Sequence, residues 1–416
     1  MNPINVFTPS SEITDPERFS GRTHELDKVS LALQTDGAHI VIYGNRGVGK
    51  SSLTNQMCLL AKGNEKVLKL LPTKPFIQFN YKVIHFKCDD SVKNIETLLI
   101  RLLSSHEHLY QYLPLSKAEE KTELGASVGW KGFFDFSGKS TIAERKDGPS
   151  ADTISHFNNA LRNLIETEKC SAVLIAIDEF DRISDKTGIA SLIKSSSKEV
   201  KFSLTGVSSN VKDLLNDHSS LDRAIADGSI EVKPMTYEDA CEIINKAEKD
   251  TEHKISFSED ARKYMFQVSR GHPFYIHLLG KHALLEALRS HTEEISRESC
   301  EIVLNIIALN NHAPTQEKSY KDAIGHSYTR ETILKEFAKR DEHEIHTTEI
   351  YKKLSEQLSL ESSVISVYVG HLGSEKYGSV IEKTQERYYR FKDSLFKAYA
   401  AARPYLLNKG DSDPSE

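Results

Sequence analysis

Long apolar runs are missing from this 416-residue chain: none approaches the roughly 18 residues that a membrane span requires. Cysteine is sparse. Cys58, Cys88, Cys170, Cys241 and Cys300 are scattered, odd in number and never spaced C-x-x-C. That pattern argues against a disulfide framework or a zinc site and fits a reducing compartment. The 17 histidines show neither H-x-x-x-H nor H-E-x-x-H spacing. A basic excess is also absent. The net charge of −6 is not that of a protein built to coat nucleic acid. Met1-Asn2-Pro3-Ile4-Asn5 lacks the basic-then-apolar pattern of a secretion signal. These absences predict a cytoplasmic protein with no membrane partner. Its length predicts two or three domains.

What is present alternates. An apolar run at 38–43 ends at Gly44, and a helical pattern follows at 50–60. A strand pattern at 82–87 precedes a helix with Ile95, Leu98, Leu99 and Leu102 on one face. A helix at 153–166 leads to the most apolar run, 172–177, and further strand patterns lie at 201–205 and 229–233. Apolar strands alternating with helices predict an α/β domain over residues 1–235, a three-layer parallel sheet covered on both faces. Within it, residues 110–150 are irregular and carry Trp130, Phe133, Phe134 and Phe136. This stretch reads as an inserted hairpin or mobile loop, whose aromatic run is either a β-hairpin packing on its own domain or an exposed docking element, with docking favoured. Residues 236–312 read as a small helical lid domain with four helices. Residues 313–405 show helices at 332–338, 348–357 and 361–372, two strand-like runs and a last helix, the order of a winged helix. Residues 406–416 read as a disordered tail.

The segment Gly44-Asn45-Arg46-Gly47-Val48-Gly49-Lys50-Ser51-Ser52 satisfies G-x-x-x-x-G-K-[ST] between a strand and a helix. Glycines let backbone N–H groups turn inward around phosphate oxygens, and the helix that follows aims its N-terminal amides at the same anion. Lys50 is expected to reach the β- and γ-phosphates, and Ser51 to bind Mg²⁺. The apolar strand at 172–177 ends in Asp178-Glu179. A buried strand delivers such residues to the ligand edge of the sheet. Asp178 is the candidate for the Mg²⁺ shell and Glu179 for the base that polarises the attacking water.

Other features are less specific. Asp181 and Arg182 either position a neighbour or cap the next helix. Ser209 and Asn210 follow a strand and either contact γ-phosphate or water, or cap a helix. Arg223, read at a helix end before the last strand, is an arginine finger or a surface ion pair. Gly271-His272-Pro273 opens a helix, where proline is structurally ordinary.

Taken in order, these motifs resemble those of the AAA+-like and STAND P-loop ATPases, including the archaeal-type and replication-initiator-like branch of AAA+, over about residues 19–403. The resemblance implies that Gly21 and Arg22 sit near adenine. It implies that Ser209 or Asn210 stands at the sensor-1 position and Arg223 at the arginine-finger position. His272 and Pro273 would belong to the G-x-P motif that contacts adenine in STAND proteins and helps hold ADP in a closed state. It further implies a Mg²⁺-dependent ATPase with ATP and ADP as ligands, a homo-oligomer and a protein partner. The setting it points to is bacterial defence or mobile-element control. The sequence departs from the initiator pattern in having no sensor-2 arginine in His272-Pro273-Phe274, which favours the STAND-like switch.

A winged helix is commonly a DNA reader, so a duplex-DNA-binding initiator or loader is the alternative. From residue 311 to 416 the net charge is about −1, and the presumptive recognition helix at 361–372 has no Lys or Arg. Base and phosphate contacts lean on those two residue types. Lys383, Arg387, Arg390 and Lys392 lie on and after the wing.

Overall fold

A computed structural model describes residues 5–113, 148–215, 221–309, 313–340, 342 and 344–409. Most of the expected insertion, residues 114–147, lies outside the described residues. The chain divides into two compact units. The first comprises Ile13–Gly44 and Lys50–Lys233; the second comprises Met1–Glu12, Asn45–Gly49 and Pro234–Glu416.

The first unit contains α1 (Thr23–Gln34), β1 (Ile40–Gly44), α2 (Lys50–Ala61), β2 (Tyr81–Lys87), α3 (Ile95–Ser104), α4 (Ala151–Glu168), β3 (Ala172–Asp178), β4 (Val200–Val207) and β5 (Ser229–Glu231). The strands form one parallel sheet in the order β2-β3-β4-β1-β5. Every residue of β3 is buried. Successive side chains point to opposite faces, so both faces of the sheet are covered there. This is why β3 reads as an unbroken apolar run rather than an alternating one. On α3 the buried residues Ile95, Leu98, Leu99, Leu102 and Leu103 form the stripe expected from their spacing, and Asn94 caps the helix through the Thr97 N–H.

A lysine is buried within this sheet. Lys201 on β4 donates from Nζ to the carbonyls of Ala32, Thr35 and Ala38. A cation there satisfies the orphan carbonyls at the end of α1. Beside it, His39 Nδ1 accepts the Phe202 N–H at 3.1 Å, and burial with the nearby Lys201 charge pushes its pKa down to about 4.

The second unit contains α5 (Tyr237–Asp250), α6 (Glu259–Ser269), α7 (Pro273–Ser290), α8 (Arg297–Leu309), α9 (Pro314–Ile324), α10 (Tyr328–Ala338), β6 (Ile345–His346), α11 (Thr347–Leu358), α12 (Ser362–Leu372), β7 (Ile381–Gln385), β8 (Tyr388–Phe391) and α13 (Ser394–Ala402). A two-residue parallel pairing joins Ser256–Phe257 to Glu294–Ile295. From α10 onward the order is helix, strand, helix, helix, hairpin, and β8 pairs antiparallel with both β6 and β7. This order contains the helices and the antiparallel hairpin read from the sequence over residues 332–391. The expected division near residue 312 falls inside a single apolar cluster that runs from Ile243 and Ile276 to Phe337, Ile365 and Tyr399. Helix α9 carries no apolar periodicity that marks it in the sequence. Its buried residues include Gln316 and Glu317 beside Tyr320, Ala323 and Ile324, so its inner face looks polar.

Glu317 is buried because Arg403 pairs with it through two contacts of 3.0 Å, Nε to Oε2 and Nη2 to Oε1. The Tyr399 hydroxyl donates to the same carboxylate. Glu331 accepts the backbone N–H groups of Leu406 and Leu407 at 2.6 and 2.9 Å, together with the Tyr320 hydroxyl at 2.7 Å. The tail read as disordered from residue 406 is therefore held at its start; residues 410–416 lie outside the described residues. Removing one partner of a buried, hydrogen-bonded ion pair costs about 3–5 kcal/mol. Arg403→Ala is accordingly expected to lower the stability of the second unit by about 3 kcal/mol in chemical denaturation.

Candidate functional site

Strand β1 ends at Gly44, whose φ is 146°. A Cβ there would lie 2.4 Å from the Val232 carbonyl oxygen, so only glycine permits the close approach that the β1–β5 edge makes. Gly47 and Gly49 also have positive φ, 77° and 97°. Lys50, the first residue of α2, is buried, and its Nζ donates to the Gly44 carbonyl at 3.0 Å. Ser51 is half-buried. Ser52 accepts the Ile13 N–H through Oγ at 3.0 Å, while Gln56 on the same helix donates to the Ile13 carbonyl at 3.1 Å. These bonds stitch the segment before α1 onto α2.

Asp178 is the last residue of β3 and is buried. Its Oδ1 accepts the Glu179 N–H at 2.8 Å, and its carbonyl accepts the Cys88 N–H at 2.9 Å. The Cys88 thiol is pushed up to about 12 by burial, with Asp178 adding to the effect, so it is not a nucleophile. Strand β4 lies between β3 and β1. Asp178 and the end of β1 are thus separated by two strand spacings, roughly 10 Å, room for a hydrated cation and phosphate oxygens. One carboxylate and one serine hydroxyl suit a hard, octahedral ion that keeps several waters. Among the described residues, no group of three or more His, Cys, Asp or Glu could hold a metal alone.

Glu179 adopts a left-handed conformation, φ 55° and ψ 37°. Such backbone in a non-glycine residue is uncommon and recurs at functional sites. Its carboxylate pairs with Lys87 Nζ at 3.3 Å and with Arg182 Nε. Asp181 is a positioning residue rather than a helix cap: its Oδ1 accepts the Val207 N–H at 2.8 Å and ties the turn after β3 to the end of β4. Gly206 makes this possible, since a Cβ there would lie 2.8 Å from Asp181 Oδ1 and 2.6 Å from a Leu214 methyl. Thr54 on α2 and Thr205 on β4, both fully buried, share a 2.8 Å hydroxyl hydrogen bond beside the site. Their sequence contexts are an ordinary helix and an ordinary strand, so no sequence signal marks the pair.

The remaining candidates are placed as follows. Ser209 Oγ and Asn210 Nδ2 both donate to Asp213, and Asn210 Oδ1 accepts the Asp213 N–H, so they cap the short helix Val211–Leu215. Arg223 is exposed in a run of turns before β5. Gly21 and Arg22 both have positive φ, and the buried Arg22 guanidinium pairs with Glu25 at 3.0 Å. In the second unit, Gly271 has φ 72°, and a Cβ there would lie 2.3 Å from the Met235 carbonyl oxygen. His272 is buried, and Pro273 occupies the first turn of α7. Asn45–Gly49 group with this unit by their contacts. A Cβ at Gly47 would lie 3.3 Å from a Leu395 methyl and 3.6 Å from Phe274 Cβ, and one at Gly49 would lie 3.9 Å from Pro273 Cγ. Asn45 is half-buried, Arg46 exposed and Val48 buried.

A strand–loop–helix with buried lysine, beside an acidic strand end in a β2-β3-β4-β1-β5 sheet, defines a P-loop nucleotide site. Residues 18–197 match the family described as AAA ATPase domain. No curated protein matches the sequence. Among solved structures, the chain is similar to the Walker-type ATPase PABY2304 of Pyrococcus abyssi at 14% identity, covering 95% of this chain and 99% of that one, with TM-score 0.47. It is similar to the ORC2 protein of Aeropyrum pernix at 13% identity, covering 96% and 97%, with TM-score 0.46. It is also similar to Cdc6p of Pyrobaculum aerophilum at 13% identity, covering 96% of each chain, with TM-score 0.45. Likenesses this distant decide nothing about function.

Gly206→Ala is expected to force Asp181 from Val207 and disturb the turn that carries Glu179. Nucleotide affinity should stay near that of the unmodified chain while hydrolysis falls at least tenfold, measured by equilibrium binding and phosphate release.

Proposed function

We propose that this chain is a regulatory ATPase that switches between ADP and ATP states, assembles with copies of itself and passes its state to a protein partner. The observation that carries the nucleotide chemistry is the buried Lys50 at the mouth of a glycine loop, two strands from Asp178-Glu179. In this reading the backbone of Gly44, Asn45, Arg46, Gly47, Val48 and Gly49 surrounds the phosphates. Lys50 moves from the Gly44 carbonyl to the β- and γ-phosphates, and Ser51 and Asp178 hold Mg²⁺, directly or through water. The ion, when bound, neutralises charge on the phosphate oxygens. Glu179 orients a water in line with the γ-phosphate and takes its proton.

Gly21, Arg22, His272 and Pro273 are assigned to the adenine side. A Cβ at Gly49 would lie 3.9 Å from Pro273 Cγ, which supports a link between the G-x-P segment and the loop. Ser209 and Asn210, engaged with Asp213, would act on γ-phosphate only after exchanging those bonds. Exposed Arg223 remains the candidate for a finger acting on a neighbouring copy. No helix among the described residues is long and apolar enough to cross a membrane; a cytoplasmic location, and a role in bacterial defence or mobile-element control, belong to this proposal.

The DNA-binding alternative is less well supported by the winged-helix surface. The exposed residues of α12 include Ser363, Val364, Ser366, Val367 and Gly370 and no cation. On the wing, Arg390 pairs with Glu382 at 2.5 Å, and Lys392 donates to Ser379 at 2.6 Å. Lys383 and Arg387 are exposed, a short and salt-sensitive phosphate contact at most.

Lys50→Ala is expected to abolish ATP binding in calorimetry. Glu179→Gln should bind ATP normally and hydrolyse it at least a hundredfold more slowly, because an amide is not a base; normal turnover by that variant overturns the base assignment. A second measurement addresses DNA: duplex at physiological salt should neither bind tightly nor change the ATPase rate. Strong stimulation would favour the initiator or loader reading.

A further inference from the structure

Wholly within the second unit lies a cleft of about 840 Å³, in the size range of sites for small ligands. Four elements converge on it: the ends of α6, α10 and α13 and the start of α8. Its cations are Arg270, Arg297 and Lys339, its rings are Tyr264 and Phe266, and Gln267 adds an amide. Among the described residues no carboxylate lines it. Such a lining offers donors to an anion and an apolar surface to a ring.

The cations are held yet available. The Arg297 guanidinium lies 5.3 Å over the Tyr264 ring, and its Nε pairs with Glu301 at 2.9 Å. The ring fixes the guanidinium plane and the pair occupies one edge, which leaves the Nη groups for a ligand. Arg270 Nη1 donates to the Arg340 carbonyl at 2.8 Å, so this side chain reaches from α6 to the end of α10. Lys339 pairs with Glu336 Oε1 at 2.9 Å, while Lys353 holds the other oxygen of that carboxylate at 2.6 Å. Lys339 can therefore turn to a ligand without leaving the buried Glu336 unpaired. The Arg297 and Lys339 side chains are 54% and 51% exposed, and ion pairs at that exposure are weak enough to exchange for a phosphate.

Cations at helix C-termini commonly offset the helix dipole, and Arg270 does serve a carbonyl at the end of α10. That duty needs neither a cavity nor a ring. It also fails for Arg297, which stands at the start of α8, where the dipole disfavours a cation. We propose that this cleft is a second ligand site and that it takes a small phosphate ester carrying a planar ring, the chemistry of a nucleotide. The phosphate is held by Arg270, Arg297 and Lys339. The ring lies against Phe266 or on the open face of the Arg297 guanidinium. This site is independent of the phosphate loop and of the reading of Glu179. The competing occupant is an acidic protein segment, which would use the cations and have no need of the rings.

The test is calorimetric titration of AMP, GMP, CMP and UMP into the full chain carrying Lys50→Ala, with inorganic phosphate and poly-glutamate as comparators. The Lys50 substitution silences the phosphate loop, so the heat reports the cleft. At least one nucleotide should bind one to one, about fivefold or more tighter than inorganic phosphate because the ring stacks. Arg297→Ala and Lys339→Ala, added singly, should each weaken that binding about tenfold, the loss of one charge-assisted contact. Both side chains are half exposed, so melting temperatures equal to that of the parent are expected and show the variants folded. No binding by any of the four nucleotides at about 1 mM overturns the proposal. Nucleotide binding that ignores both substitutions overturns it too, because the ligand then sits elsewhere. Inorganic phosphate binding as tightly as the nucleotides, or poly-glutamate binding more tightly than any of them, also overturns it and makes the cleft a plain anion site or a face for an acidic protein.

Discussion

A β-strand buried on both faces can carry polar chemistry only where it ends. That constraint organises the first unit. All of β3 is apolar until Asp178, and β1 is apolar until Gly44. Both strands run parallel, so their ends emerge on one edge. Strand β4, placed between them, sets their separation, and its own end is pinned by Asp181 and by Thr205 on Thr54. The nucleotide site is thus a property of sheet order as much as of any motif.

The second unit solves a different problem. Its helices share one apolar cluster, yet α9 and α10 bury Glu317, Arg330, Glu331 and Lys335. Each is used. Glu317 meets Arg403, Glu331 takes two backbone N–H groups, Arg330 donates to the Ile324 carbonyl at 3.0 Å and covers the Tyr377 ring at 3.9 Å, and Lys335 donates to carbonyls at the end of α13. Burial pushes the Lys335 pKa down to about 8. Such groups add less to stability than well-packed hydrocarbon would, and they specify one arrangement of the final helix and the segment after it.

Much of this was legible in the sequence because it is local. The P-loop, the Asp178-Glu179 strand end and the stripe of α3 each lie within one element, where spacing alone reveals the face. Helix α9 was not legible because its inner face is partly charged, and the segment after 405 because Leu406 and Leu407 are held through their backbone. The Thr54–Thr205 bond, the three carbonyls on Lys201 and the grip of Asp181 on Val207 join positions far apart in the chain. No periodicity encodes them. Ser209 and Asn210 illustrate the converse: the motif order pointed to a sensor, and the geometry shows a helix cap on Asp213.

Sheet order also has a consequence for how the chain is made. Ile40 of β1 pairs with Ser203 of β4, and Val41 with Ser229 of β5. The strand that feeds the phosphate loop leaves the ribosome before both of its neighbours: β4 follows about 160 residues later and β5 about 190. At about 5–20 residues per second it waits roughly 8–30 seconds with both edges unpaired. A nascent chain at that stage carries an apolar strand with both edges unpaired, the kind of edge that invites wrong pairing until β4 and β5 arrive.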